Sequence, residues 1–76
     1  PFGTSTSIRF GVPVTADVNL HVYNLLGQRV ATLVDGAVEA GTHTVRFDSD
    51  RLASGVYFYV LQAGDTRLVQ KMMLVK

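Results

Sequence analysis

The chain has 76 residues, 47% hydrophobic and 17% charged, with no cysteine and a formal net charge of +1 from seven Lys and Arg against six Asp and Glu. A chain of that length holds one small domain whose core supplies only a few kcal/mol of stability, and it has no disulfide or thiolate–metal site to add to it. The composition excludes a disordered chain, no apolar run approaches the roughly 20 residues of a membrane-spanning helix, and charges scattered this evenly argue against a nucleic-acid footprint.

Pro1-Phe2-Gly3-Thr4-Ser5-Thr6-Ser7 is uncharged, rich in Gly, Ser and Thr, and unlike a signal peptide. Residues 1–5 read as a linker-like lead-in from an upstream domain, and 1–76 as a single domain cut from a longer chain. Ile8, Phe10 and Val12 alternate with Ser7, Arg9 and Gly11, so a first strand runs from about Thr6 to Val12, where Pro13 ends its ladder. Val18, Leu20 and Val22 alternate with Asn19, His21 and Tyr23 in a second strand. Asn24-Leu25-Leu26-Gly27 has the composition of a turn, with Asn at its start and Gly at its end.

Gln28 to Val34 is the third expected strand, with Val30, Thr32 and Val34 on one side and Ala31 and Leu33 on the other. Asp35-Gly36 is expected to close it, and Ala37 to Gly41 to form a connection. Thr42 to Asp48 sets His43, Val45 and Phe47 against Thr42, Thr44 and Arg46 in a fourth strand. Ser54-Gly55-Val56-Tyr57-Phe58-Tyr59-Val60-Leu61 is the most strand-like stretch, apolar on both faces and bounded by glycines, as in a central strand. Tyr57, Tyr59 and Leu61 are assigned to the core, Val56, Phe58 and Val60 to the opposite face. Gly64-Asp65 is a hairpin turn, and Arg67 to Val75 the last strand. No segment keeps a 3.6-residue period over ten residues. The pattern predicts an all-β, immunoglobulin-like antiparallel β-sandwich of about seven short strands, with a small barrel as the alternative.

Candidates for chemistry are few. His21 alternates outward, and His43 lies on the apolar side of its strand, where a bond to a neighbouring loop explains it better than a metal does. Asp48 and Asp50 resemble a fragment of a calcium loop, but paired acids between strands are usually turn formers bonding their own backbone. The glycines are isolated turn residues, so neither a phosphate loop nor a nucleophile elbow is present. Nothing converges on catalysis or on a cofactor. The terminal strand, with Leu68-Val69 and Met72-Met73-Leu74-Val75 interrupted by Lys71 and Lys76, is suited to pair with another chain if it lies at a sheet edge.

An ordered series of short motifs carries a resemblance: Pro1-Phe2 with Thr6-Ser7-Ile8-Arg9-Phe10; Val22-Tyr23-Asn24-Leu25-Leu26-Gly27; Leu33-Val34-Asp35-Gly36; Ala40-Gly41-Thr42-His43; Leu52-Ala53-Ser54-Gly55-Val56-Tyr57; and Lys71-Met72-Met73-Leu74-Val75-Lys76. Together they resemble the type A C-terminal sorting domain of the type IX secretion system of Bacteroidetes and related bacteria. The lead-in departs from that pattern, since Gly3-Thr4 stands where the family carries a second Asn-Pro.

The resemblance implies a seven-stranded immunoglobulin-like sandwich ending a larger secreted protein and acting as a non-catalytic address. Its partners would be the type IX translocon, a sortase-like C-terminal signal peptidase and the upstream cargo domain. The cargo would pass through the periplasm to the cell surface or the medium. Gly55, Tyr57, Lys71, Met72, Met73, Leu74, Val75 and Lys76 are the positions it marks for recognition. For Gly55 and Tyr57 a folding role outweighs direct contact, because the Gly-x-Tyr spacing is that of a tyrosine corner, with the hydroxyl returning to the loop near Leu52 to Ser54. The alternatives are a carbohydrate-binding module stacking sugars on Tyr23 and Phe58, and a passive spacer.

Overall fold

The computed structural model describes residues 5–75. Six strands account for the regular structure among them: β1 (Ser5–Val12), β2 (Ala16–Tyr23), β3 (Arg29–Val38), β4 (Gly41–Asp48), β5 (Gly55–Ala63) and β6 (Thr66–Leu74). They form two antiparallel sheets, a two-stranded β1-β4 and a four-stranded β3-β2-β5-β6. Because no ladder joins the sheets among the described residues, the fold is a sandwich and not a barrel. The expected all-β sandwich stands, with six strands among the described residues in place of about seven; the lead-in at 1–4 lies outside them.

Alternation explains which residues fill the space between the sheets. Ile8, Phe10 and Val12 of β1, Val18, Leu20 and Val22 of β2, Phe47 of β4, Tyr57 and Leu61 of β5 and Leu74 of β6 are buried. The β2 trio is wholly shielded from solvent, and each such aliphatic side chain contributes about 1.5–3 kcal/mol relative to exposure. The core divides into a cluster around Ile8, Phe10 and Leu20 and another around Val22, Phe47 and Tyr57, bridged by half-buried Leu33 and Tyr59. As expected, Tyr57, Tyr59 and Leu61 pack inward, leaving Val56, Phe58 and Val60 on the outer face.

The third strand departs from the expectation in two ways. It runs on through Asp35 and Gly36 to Val38, because those turn-forming residues find ladder partners in Asn19 and Val18 of β2. Its register also slips twice, between Leu20 and His21 and between Val22 and Tyr23. Each slip sets two β3 residues against one, so Leu33 and Val34, then Val30 and Ala31, pack against the core as consecutive pairs. Strict alternation does not survive a bulge, and only Thr32 between the pairs stays exposed.

The turns follow their residue types. Asn24 Oδ1 accepts hydrogen bonds from the backbone N–H of Leu26 at 2.9 Å and of Gln28 at 3.0 Å, closing the β2–β3 connection. Gly64 has φ +58° while Asp65 has no positive φ, so the two-residue β5–β6 loop is of the II′ kind that matches strand twist.

Candidate recognition surface

Among the described residues, β6 lies at the edge of the four-stranded sheet, hydrogen-bonded to β5 alone. β3, at the opposite edge, is bulged twice, whereas the β5–β6 register runs without a slip from Ala63↔Thr66 to Gly55↔Leu74. Bulges blunt an edge for further pairing; of this sheet's two edges β6 is the straight one, and the two strands of the β1-β4 sheet also pair without a slip.

Which groups β6 offers follows from the parity of the hairpin. In a two-residue hairpin the residues flanking the turn form a hydrogen-bonded pair, so Thr66, Leu68, Gln70, Met72 and Leu74 direct their backbone toward β5. Consistent with this, the Gly64 N–H donates to the Asp17 carbonyl of β2 at 3.4 Å, on the side of β5 that its even-numbered residues face. The N–H and C=O groups of Arg67, Val69, Lys71 and Met73 therefore point to the free edge.

The same alternation sorts the side chains. Leu74 is buried and Met72 packs against the core around Val22 and Phe47, so these two sequence-marked residues serve the fold. Lys71, Met73 and Val75 are exposed, Met73 by 65% and Val75 by 72%; Lys76 lies outside the described residues. Arg67 and half-exposed Val69 share the parity of Lys71 and Met73 but are not among the positions that the resemblance marks. Counting back by twos from Lys71 would have found them.

On the outer face the registers align Arg29 of β3, Tyr23 of β2, Phe58 of β5 and Lys71 of β6 in one cross-strand row. The next row is Thr32, His21, Val60 and Val69, with His21 Nδ1 hydrogen-bonded to Thr32 Oγ1 at 3.1 Å and its ring edge-on to Tyr23 at 6.3 Å. Tyr23 and Phe58, read as a pair of sugar-stacking rings, are thus brought side by side.

Gly55 and Tyr57 occupy the junction where the β4–β5 loop enters β5. The Tyr57 hydroxyl donates to the Ala53 carbonyl at 2.8 Å, the return to the loop that the tyrosine-corner spacing predicts. Gly55 has φ +155°, a backbone that side-chain-bearing residues rarely adopt, although a Cβ there would meet nothing within 4 Å. The remaining polar candidates are held locally. His43 Nε2 donates to the Glu39 carbonyl at 2.7 Å and its ring stacks on Phe10 at 5.6 Å. The Asp50 N–H donates to Asp48 Oδ1 at 3.1 Å, a turn bond. Among the described residues no three His, Cys, Asp or Glu side chains come close enough to hold a metal ion, and no helix is long and apolar enough to cross a membrane.

These features define a small β-sandwich module whose distinctive parts are a straight edge and an outer face on which Tyr23, Phe58 and Val60 lie between polar and cationic neighbours. The chain matches the secretion system C-terminal sorting domain over residues 1–76 and belongs to that family, the C-terminal signals of type IX secretion. Among curated proteins nothing matches it. A sorting signal of this kind is carried on a cargo chain and directs it toward the cell surface or the extracellular space. The family is one of sorting signals, not of catalysts.

Proposed function

We propose that residues 1–76 form one non-catalytic address domain, led in by residues 1–5, and that the type IX translocon reads it at the free edge of β6 after the cargo reaches the periplasm. Lys71, Met73 and Val75 are the contact residues of this reading; Gly55, Tyr57, Met72 and Leu74 keep the edge folded. A sortase-like C-terminal signal peptidase then removes the domain or passes the cargo to the cell surface. The observation that carries the reading is the unbulged edge strand, with its backbone groups directed outward at Arg67, Val69, Lys71 and Met73.

Deleting Met72 to Lys76 would not test this, because it removes Leu74 and Met72 from the core. The test is a reporter fused to the chain with Lys71→Glu and Met73→Glu, both exposed. Export of the reporter is expected to fall while the domain's melting temperature is kept. Unchanged export with the fold intact would remove β6 as the recognised edge.

A further inference from the structure

We infer that the partner segment seated on β6 is an extended strand alternating acidic and apolar side chains on its outer face, with an apolar residue turned inward near the β5–β6 turn. This inference rests on the reading of β6 as the recognised edge and adds the chemistry of what pairs there.

A strand added to β6 hydrogen-bonds to the outward backbone groups of Arg67, Val69, Lys71 and Met73, so its own residues stand directly opposite these four. Directly opposed residues share a sheet face, with Cβ atoms about 4.5–5.5 Å apart. The added strand therefore meets cation, apolar, cation, apolar in turn. Opposite charges across a ladder attract and like charges repel, so carboxylates suit the positions beside Arg67 and Lys71. Exposed Val69 and Met73 call for apolar cover.

The cross-strand row behind Lys71 strengthens the charge term. It runs from Lys71 through Phe58 and Tyr23 to Arg29, with cations at both ends and no acid between them. The strand acids of the same sheet stand toward the other end of β2: Asp35 closes the row that runs from Arg67 through Gln62 and Asn19, and Asp17 lies opposite Ala37.

The inner side supplies the third element. Leu68 faces inward opposite buried Leu61, yet it is 50% exposed. It borders an apolar groove of about 240 Å³ shared with Val12, Val14, Leu61 and Ala63. An added strand turns one side chain inward beside Leu68, and an apolar group there would cover this gap in the sandwich.

The test uses the 76-residue chain and a blocked synthetic heptapeptide, Val-Thr-Glu-Thr-Val-Leu-Glu, written to lie antiparallel to β6 from Met73 to Arg67. A control peptide carries Lys in place of both Glu. Amide exchange followed by NMR is expected to show protection at Arg67, Val69, Lys71 and Met73, with the Glu peptide preferred by about tenfold, on the scale of two cross-strand charge pairs. In the Arg67→Glu/Lys71→Glu chain the preference should reverse. Equal binding of both peptides, protection at other residues, or no binding to a folded chain would overturn the inference. Loss of export on Lys71→Glu with Met73→Glu, combined with indifference to peptide charge, would leave β6 as the address and remove only the acidic-apolar partner. Reversal of peptide preference with export unaffected would keep the partner chemistry and remove β6 as the address.

Discussion

The Tyr57 hydroxyl donates to the carbonyl oxygen of Ala53 at 2.8 Å, so the side chain of a core strand closes the loop that leads into it. The ring is buried against Val22 and Phe47 while the hydroxyl reaches the loop backbone. One residue thereby ties the β4–β5 connection to the sheet.

Tyr57→Phe keeps the ring and removes the bond. The expected loss is about 1 kcal/mol, one partly buried hydrogen bond, seen as a lower urea midpoint with an unchanged slope. Export of a fused cargo should stay intact at temperatures where the variant is folded, because the hydroxyl is committed to Ala53.

Gly55→Ala tests the other half of this junction. Space is not the obstacle, since a Cβ there meets nothing within 4 Å; the φ of +155° is. The strain is expected to cost about 1–3 kcal/mol. A synthetic chain with D-alanine at 55, for which positive φ is natural, should recover most of the lost melting temperature. If both forms destabilise equally, the backbone explanation fails.

Neighbouring positions on β6 should respond oppositely. Leu74→Ala opens a cavity in the core and is expected to cost about 2–5 kcal/mol, enough to unfold much of a domain this small. Met73→Ser, one residue away on the exposed face, should stay within about 0.5 kcal/mol of the parent. Thermal unfolding of the two variants measures the contrast, and similar losses would contradict the facing of β6.

Asn24→Ala removes the side-chain oxygen that accepts from both Leu26 and Gln28. A loss of about 1–2 kcal/mol is expected, as for other side chains that cap exposed backbone donors. Amide exchange should show the 26 and 28 amides opening first. Unaltered protection there would mean that the turn holds without its Asn.

Most of the architecture was legible in residue order. Period-two runs such as Ile8-Phe10-Val12 and Val18-Leu20-Val22 carry their own burial pattern, because alternate side chains on a strand face opposite sides. The turns at Asn24 and Gly64 and the Tyr57 corner were legible for the same reason: each depends on residues within a few positions. β3 was misread because its two bulges answer to β2 across the sheet, and no local pattern in 29–38 records a slip in register. The recognition stretch was only half legible. Lys71 to Lys76 stood out by composition, but its division into inward Met72 and Leu74 and outward Lys71 and Met73 needed the core on one side.

The sequence by itself determined an all-β chain, the faces of four of its strands and the family it resembles, since propensity, alternation and motif order are local properties of the chain. Only the tertiary structure decided that β6 is the straight edge of the four-stranded sheet and β3 the bulged one, and that Arg29, Tyr23, Phe58 and Lys71 share a row. Edge position and cross-strand register are relations between segments far apart in the chain, 42 residues in the case of Arg29 and Lys71 (71 less 29), and they come into being only when the ladders form.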